Sequence, residues 1–295
     1  MIHSGGPTAS GKTSLAVDLA MHYGCEVISA DSRQFYREIS IGTAKPRESE
    51  LQGVKHHFID SLSIHDDYSA GQFERDTIAL MNEIHKSQDF IIVAGGTGLY
   101  HRVIYDGLDQ YPPVDKSVVA YYTKRLKDQG IASLQEELTM RDPEYATQVD
   151  LNNGHRLIRA LSVIACSDKP FSHFQKSKTI ERNFTPVKLA IEVDRTLLYD
   201  RINTRVDFMI EQGLIEEARN VYPHRTLNSL NTVGYKELFV YFDGTYDLET
   251  AIDKIKQHTR NYAKRQITWF KNQDNWNKIT GLTDAIRKID ELIVN

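Results

Sequence analysis

Short apolar runs and longer amphipathic segments alternate near the start of the chain. Residues 1–5 form a short and rather polar candidate strand, and a glycine-rich turn at residues 6–13 follows it. A helix is predicted next, because Leu15, Leu19 and residues 21–22 are spaced to share one buried face. The opening of the chain therefore predicts a strand, a turn and a helix.

Two further apolar segments, residues 26–30 and 90–94, are predicted strands. The second is an unbroken run of five apolar residues, which is typical of a strand buried on both faces. Residues 57–60 are a weaker candidate strand, and Ser69 is placed to cap a helix whose apolar positions recur at helical spacing. Since strands alternate with helices, the pattern predicts an α/β fold with a parallel sheet flanked by helices.

The pattern changes after the pair Pro112-Pro113. The next seventy or so residues predict helices only, most clearly at residues 132–141 and 153–166. We therefore expect a core of residues 1–112 and 183–295 that contains the sheet and the glycine-rich turn, and a helical insertion of residues 113–182.

The sheet is predicted to resume at residues 187–193, where Asp194 is placed to cap the following helix. The remainder of the chain predicts mostly helices. The longest of them has one buried face, marked by Leu248, Ile252, Ile255, Thr259, Tyr262, Gln266 and Trp269.

Composition narrows the class of protein. The 295 residues include 36 Lys and Arg against 40 Asp and Glu, a net charge of −4, which excludes a polycationic nucleic-acid coat but not a local basic face. The two cysteines, Cys25 and Cys166, are too few for a disulfide scaffold or a zinc knuckle and suit a reducing cytosol. No apolar run approaches the roughly 18 residues of a membrane span, and no secretory start is present. We expect a cytoplasmic protein with no membrane partner, and a monomer.

The turn at residues 6–13 matches the Gly-x-x-x-x-Gly-Lys-Thr phosphate-loop pattern, and it lies between a strand and a helix as that pattern requires. Backbone N–H groups converge on phosphate oxygens in such loops, and the helix N-terminus adds partial positive charge. Lys12 is expected to reach a terminal phosphate, and the Thr13 hydroxyl to hold Mg²⁺. An accidental glycine-rich turn is the less favoured alternative. The residues expected to bind a diphosphate or nucleotide are Gly6, Pro7, Thr8, Ala9, Ser10, Gly11, Lys12 and Thr13.

The acid that usually follows a buried strand in phosphate-loop NTPases is missing here. Residues 90–94 run into Gly95-Gly96-Thr97 instead, which argues against a motor or a switch GTPase. An acid does follow the second strand, at Asp31, where parallel sheets place their ligands. Asp31 is therefore a candidate Mg²⁺ ligand or general base, with simple turn capping as the alternative.

A local basic face is predicted near the end of the chain. Residues 254–271 contain six Lys or Arg and no Asp or Glu, with Tyr262, Trp269 and Phe270 among them. Lys264 and Arg265 are the residues expected to contact RNA phosphates, and the aromatic residues are expected to pack in the core. A solvated helix face is the alternative.

Several motifs together resemble the bacterial tRNA dimethylallyltransferase family. They occur in family order from residue 6 to residue 270, nearly the whole chain, and their combination is far more specific than a phosphate loop alone. The blocks are GPTASGKT at 6–13, DSRQFY at 31–36, IGTAKP at 41–46, AGGTGLY at 94–100, VGYKE at 233–237 and AKRQITWF at 263–270.

The resemblance implies transfer of a dimethylallyl group from dimethylallyl diphosphate to the exocyclic amine of the adenosine 3′ of the anticodon. By the same resemblance, Asp31 is the general base, Thr97 lines the channel where base and donor meet, and Arg205 clamps the diphosphate. Arg201, one helical turn from Arg205, is a weaker candidate. This chemistry accounts for the missing acid, because no water has to be activated.

Family blocks also imply contacts with the anticodon stem-loop of tRNA. By the same resemblance, residues 1–112 and 183–295 form the phosphate-loop catalytic core, and the helical insertion of residues 113–182 binds tRNA. An anticodon-loop adenine must leave its stack before a buried general base of the enzyme can reach it. Lys and Arg are expected to hold the RNA backbone around that adenine. The implied tRNA-binding residues are Asp31, Ser32, Arg33, Gln34, His155, Arg156, Leu157, Ile158, Arg159, Gly234, Tyr235, Lys236, Lys264 and Arg265.

Other functions stay open on the sequence alone. A small-molecule phosphate-loop kinase would use the helical insertion as a lid and Asp31 to activate a hydroxyl acceptor. An isopentenyltransferase acting on free adenine nucleotides would not need the basic face at residues 254–271. From a different class, a nucleotide-dependent RNA-binding module without catalysis would not depend on Asp31.

Overall fold

The computed structural model describes residues 1–175 and 180–294, and the remaining part of the predicted insertion, residues 176–179, lies outside the described residues. Six strands form one sheet: Ile2–Gly5 (β1), Glu26–Ser29 (β2), His56–His57 (β3), Ile91–Gly95 (β4), Val187–Ile191 (β5) and Asn277–Ile279 (β6). All paired strands are parallel, in the order β3-β2-β4-β1-β5-β6. The predicted α/β fold with a parallel sheet is confirmed.

Thirteen α-helices lie in the described part of the chain. They are Lys12–Tyr23 (α1), Glu48–Leu51 (α2), Ala70–Ile84 (α3), Gly98–Tyr105 (α4), Lys116–Gln129 (α5), Ala132–Arg141 (α6), Pro143–Gln148 (α7), Gly154–Ser167 (α8), Arg195–Glu211 (α9), Leu214–Val221 (α10), Tyr235–Phe242 (α11), Leu248–Lys271 (α12) and Leu282–Val294 (α13). No described helix has the length and apolar character needed to cross a membrane.

Two predicted helix starts follow from local capping. The Ser69 hydroxyl accepts a hydrogen bond from the Gln72 N–H at 3.2 Å, and the Asp194 carboxylate accepts from the Thr196 and Leu197 N–H groups at 2.9 and 3.0 Å. Each cap satisfies N–H groups that have no partner inside the helix. Both helices therefore begin directly after the predicted capping residues, Ser69 and Asp194.

Two local predictions were wrong. Residues 57–60 do not form the third strand, which is confined to His56–His57, because Phe58 and Asp60 have φ values of 63° and 52° that no strand accommodates. Met21 is 49 % exposed and His22 is also exposed, since two residues beyond Leu19 the helix has turned away from the core.

The short polar strand at the start of the chain lies in the middle of the sheet. β1 pairs with β4 on one side and β5 on the other, and His3 and Ser4 are fully buried. The Nδ1 atoms of His3 and His101 lie 3.1 Å apart, and His101 Nε2 lies 3.1 Å from the Gly95 carbonyl oxygen. Because a carbonyl only accepts, His101 donates from Nε2 and its Nδ1 accepts from His3 Nδ1. Pairing with His101 thus accounts for one ring nitrogen of His3, whereas His3 Nε2 and the Ser4 hydroxyl are buried without a hydrogen-bond partner among the described residues.

The chain divides into two compact units, residues 1–106 with 181–295 and residues 107–180. The sequence pattern had set the helical part at 113–182. In the smaller unit α8 packs against α5 and α6 around a core that includes Tyr122, Leu134, Leu138, Leu157 and Leu161. The larger unit contains the whole sheet, with α1 packed on its central strands and α12 packed against α4, α9 and α11.

Candidate active site

Loop 6–13 connects β1 to α1 at the carboxyl edge of the sheet. Gly11 caps α1 with φ 89° and ψ 15°, a left-handed conformation that costs glycine little. The first N–H groups of α1 have no partner within the helix and point back toward the loop, which makes this turn suited to an anion. Thr13 is exposed at the start of the helix, and Lys12 Nζ donates to the Pro7 carbonyl at 2.6 Å.

Asp31 lies two residues beyond β2, on the side of the sheet where loop 6–13 also lies. Its Oδ1 accepts a hydrogen bond from the Arg33 N–H at 2.9 Å, so the carboxylate is held by its own turn. The capping alternative from the sequence is therefore present in the structure. Capping is not the only contribution that Asp31 can make, because its side chain also lines a pocket at this edge of the sheet, described below.

Thr97 is brought to Asp31 by the pairing of β2 with β4. The Thr97 N–H donates to the Ala30 carbonyl at 3.2 Å, and the Thr97 Oγ1 accepts from the Ser32 N–H at 3.2 Å. Neighbouring parallel strands end at the same edge, so residues 66 positions apart meet there. The two residues predicted to be catalytic thus lie in one hydrogen-bonded corner.

A pocket of about 520 Å³ lies above this edge. It is lined by residues 8–13, by the turn after β2 and by parts of α9, α11 and α12, whereas the predicted site residues Gly6, Pro7 and Thr97 do not line it. Arg205 reaches it from α9, where its Nη1 donates to the Thr8 hydroxyl at 3.4 Å, whereas the exposed Arg201 is not among the lining residues. The structure therefore separates the two arginines that the sequence had paired.

The pocket concentrates positive charge near loop 6–13. Burial lowers the pKa of Lys12 to about 8, an effect that Asp31 opposes and Arg205 reinforces. Burial also lowers the pKa of Arg205, against the attraction of Glu50 and Asp31. Two cations that repel each other and have lost hydration are favourable partners for an anion with several charges.

Arg33 and Gln34, both predicted to bind tRNA, hold the rim of the pocket in this structure. The Arg33 guanidinium donates to the backbone carbonyls of Asn228 and Ser229 at 3.0 and 2.9 Å. Gln34 Nε2 donates to the Ala44 carbonyl at 3.3 Å, while its Oε1 accepts from the Ser29 hydroxyl at 3.2 Å. Arg33 joins segments 195 residues apart, whereas Gln34 bonds within its own region of the chain.

Tyr235 and Gly234, also predicted to bind tRNA, are buried, and only Lys236 of that block is exposed. The Tyr235 hydroxyl donates to Glu217, whose carboxylate also accepts from three successive backbone N–H groups at 2.8 to 2.9 Å. Those N–H groups belong to Ser40, Ile41 and Gly42. The block therefore fixes the loop that precedes Thr43 and Ala44, which line the pocket.

α12 carries both exposed cations and pocket residues. Lys264 and Arg265 are exposed, and the Arg265 guanidinium lies over the Tyr262 ring at 5.6 Å. Tyr262 and Gln266 line the pocket, although the sequence pattern assigned both to the buried face of the helix. Burial is the main cause that raises the pKa of Tyr262 to about 12. A glutamine within an apolar stripe was the one sequence signal that could have revealed this function.

In the helical unit the segment from His155 to Arg159 forms the first turns of α8. His155, Arg156 and Arg159 are exposed, whereas Leu157 and Ile158 are buried in the core of that unit. Three side chains of the predicted tRNA-binding block are thus available on the surface, and two contribute to packing.

Among the described residues, no three His, Cys, Asp or Glu side chains form a group that could hold a metal ion. The side-chain oxygens that line the pocket include the Thr13 hydroxyl and the carboxylates of Asp31 and Glu50. Such a sparse set suits Mg²⁺, which protein sites often hold with one or two side chains and substrate phosphates.

The chain is similar in sequence to one protein family and to its named members. Residues 34–273 match the family model described as IPP transferase. The chain is 52 % identical over 266 residues to a tRNA dimethylallyltransferase of Christiangramia forsetii, covering 90 % of this chain and 88 % of that one. It is 44 % identical to a tRNA dimethylallyltransferase of Flavobacterium johnsoniae, covering 98 % and 96 %.

Solved structures give the same result. The full-length tRNA isopentenylpyrophosphate transferase of Bacillus halodurans superposes with a TM-score of 0.72 at 36 % identity, covering 99 % of this chain and 95 % of that one. A eukaryotic dimethylallyltransferase acting on tRNA superposes with a TM-score of 0.79 at 26 % identity, covering 100 % and 77 %. The family resemblance drawn from the motifs is confirmed: this chain belongs to the IPP transferase family.

Proposed function

We propose that this protein transfers a dimethylallyl group from dimethylallyl diphosphate to the N6 amine of the adenosine 3′ of the anticodon in tRNA. One observation carries the proposal: Asp31 shares a pocket with residues 8–13 of the phosphate-binding loop and Arg205, and Thr97 adjoins that pocket through the hydrogen bond it accepts from the Ser32 N–H. A carboxylate that can take a proton therefore lies beside cations that can hold a diphosphate.

The reaction needs both groups. The adenine amine is a weak nucleophile because its lone pair is delocalised into the ring, and a base that accepts its proton is worth about 10²–10⁴-fold in rate. The new N–C bond forms as the C–O bond to the diphosphate breaks, and the diphosphate leaves with the electron pair. Asp31 accepts the amine proton, while Lys12, Arg205 and the first N–H groups of α1 stabilise the leaving group.

Mg²⁺ is part of this proposal. The Thr13 hydroxyl would hold it together with phosphate oxygens of the donor, with Asp31 as the nearest carboxylate of the pocket. When bound, the ion supplies further neutralisation of the diphosphate charge.

The tRNA partner would bind on the exposed cations. Lys264 and Arg265 on α12 and Lys236 on α11 lie on or next to the pocket lining, so the anticodon loop would be held at its entrance. Arg156 and Arg159 on α8 give the helical unit a second basic surface. Positive charge at both places suits the backbone of a stem-loop.

In this proposal the enzyme acts as a cytoplasmic monomer. ATP competes weakly with dimethylallyl diphosphate, because loop 6–13 recognises phosphates rather than the group attached to them. A kinase would instead release ADP from ATP. The relatives named tRNA dimethylallyltransferase favour the prenyl donor over the kinase reading.

Nucleoside mass spectrometry tests the proposal directly. The protein is incubated with dimethylallyl diphosphate, Mg²⁺ and unmodified tRNA, and the tRNA is then digested to nucleosides. We expect N6-(dimethylallyl)adenosine from tRNA and none from free adenine nucleotides. Product from AMP but not from tRNA would favour the free-nucleotide enzyme, and ADP formation without prenylation would favour the kinase.

A further inference from the structure

Gln266 is a buried polar side chain at the centre of the site. It projects from α12, is 5 % exposed, and both ends of its amide are used. Its Oε1 accepts from the Thr8 N–H at 2.8 Å, and its Nε2 donates to the Gly96 carbonyl at 2.8 Å. One side chain therefore joins loop 6–13 to the loop that carries Thr97.

The orientation of this amide is fixed by its partners. A backbone N–H can only donate and a backbone carbonyl can only accept, so a flipped amide would oppose donor to donor and acceptor to acceptor. The approach is also close: a Cβ at residue 96 would lie 2.2 Å from Gln266 Nε2, so any larger residue there would have to displace this amide. Gly96 and Gln266 are thus complementary in shape as well as in hydrogen bonding.

We infer that Gln266 is a positioning residue, which sets the distance between the donor loop 6–13 and the acceptor corner at Thr97 and Asp31. The inference rests on the proposed function for its effect on prenyl transfer. The physical reason is that transfer requires the donor carbon and the adenine amine to approach in line, and small displacements of either loop reduce the rate strongly.

Two substitutions of nearly equal size test the inference. Gln266→Met keeps the volume and removes both hydrogen bonds, leaving the Thr8 N–H and the Gly96 carbonyl without this partner. Gln266→Glu accepts from Thr8 as a carboxylate but opposes the Gly96 carbonyl. Once protonated, it can accept from Thr8 and donate to Gly96, as glutamine does. The same exchanges at Gln257, which is exposed on the same helix, are the matched controls.

We expect Gln266→Met to lower kcat about tenfold or more, with tRNA affinity unchanged. Its affinity for inorganic pyrophosphate should fall about fivefold, the effect of losing one hydrogen bond that preorganises the loop. For Gln266→Glu, the ratio of variant to wild-type activity should rise as the pH falls from 8 to 6, since burial beside a carbonyl favours the protonated carboxyl. The Gln257 variants should match the wild type at every pH.

A structural role in packing predicts a different result. The Met variant would then lose melting temperature and tRNA affinity together, and the Glu ratio would be flat with pH; either that flat ratio or a Met variant within twofold of wild type in kcat overturns the inference. Pyrophosphate binding keeps the test separate from the proposed function. Suppose that the wild type makes no prenylated nucleoside, but that pyrophosphate binding by the Gln266→Glu variant recovers at low pH. That result would retain this inference and reject the proposed function.

Discussion

In the larger unit, several candidate functional side chains bond to partners far away in the sequence, whereas in the helical unit the exposed candidates lie on the outer face of one helix. The Thr97 hydroxyl accepts a hydrogen bond from the Ser32 N–H at the ends of two neighbouring strands. The Gln266 amide forms hydrogen bonds with both Thr8 and Gly96. Arg156 and Arg159 need only the periodicity of α8, whose opposite face packs in the core.

The difference has a chemical origin. A reaction centre needs atoms placed to a fraction of an ångström, and rigid contacts between loops provide that precision. Binding a flexible polyanion needs positive charge at the right distance, which long, exposed side chains supply without fixed partners. We therefore expect substitutions at the reaction centre to act on rate, and substitutions of the exposed cations on α8 or α12 to act on salt-dependent affinity.

The largest expected effect is on rate, at Asp31. Asp31→Asn keeps the shape and the turn but removes the proton acceptor, so kcat should fall by about 10²-fold or more. Binding of tRNA, measured by filter retention, should stay within a few-fold of the wild type. Glu50→Gln, which changes the other carboxylate of the pocket, is the control and should be nearly neutral. Turnover of Asp31→Asn close to wild type would remove Asp31 from the mechanism.

Affinity for tRNA should respond in both basic regions. Replacing Lys264 and Arg265 by Ala, or Arg156 and Arg159 by Ala, should weaken tRNA binding and make the log–log salt dependence shallower by about one to two units, since each lost phosphate contact releases one counterion fewer. Donor affinity should not change in either double variant. Affinities measured between low and moderate salt give the slopes.

Arg201→Ala is the control for both double variants, because Arg201 is equally exposed but does not line the pocket. A slope that changes for only one of the pairs would show which region meets the phosphates. Slopes unchanged in both would leave the tRNA assignment resting on family membership alone.

Donor binding should depend on pH through Lys12. Burial lowers the pKa of this ammonium to about 8, so the cation is present below that pH and is lost above it. A bound diphosphate favours the charged form, and donor affinity should therefore fall above pH 8, by at most about tenfold per pH unit. Lys12→Arg, which stays charged, should show weaker but flatter binding by calorimetry. A flat wild-type profile from pH 7 to 9.5 would contradict this.

The smallest expected effect is on acid stability, and it should be confined to the larger unit. Burial lowers the pKa of His101 to about 4 and that of His3 well below its usual range. Both are neutral when folded, so their contribution to stability is complete above pH 6.5 and is lost as the pH falls toward 4. The slope should be at most about 1.4 kcal/mol per pH unit for each proton taken up.

Hydrogen exchange at pH 7 and pH 5 can localise this loss of stability. Protection factors, which correct for the slower intrinsic exchange at pH 5, should fall in β1 and α4 but not in α8, because His155 and His173 in the helical unit are exposed. An equal fall in both units would mean that another group is responsible.

The sequence predicted the helical unit more accurately than parts of the larger unit, because local spacing determines an amphipathic helix whereas packing between segments determines the rest. Helical periodicity predicted Ala132–Arg141 to the residue, since an amphipathic helix is determined by its own spacing. It placed Met21 and His22 on the wrong face, where the turn of the helix is decided by what packs against it. The third strand was also misplaced, because left-handed residues at Phe58 and Asp60 end it early.

The sequence by itself determined the family, the parallel sheet and the residues with reactive groups, because these follow from motif chemistry and local periodicity. Only the tertiary structure decided which of them meet. It turned Tyr235 inward to Glu217, separated Arg205 from Arg201 at the pocket, and brought Gln266 out of an apolar stripe to join two loops. Such pairings depend on distances between segments up to 258 residues apart, and no local pattern encodes them.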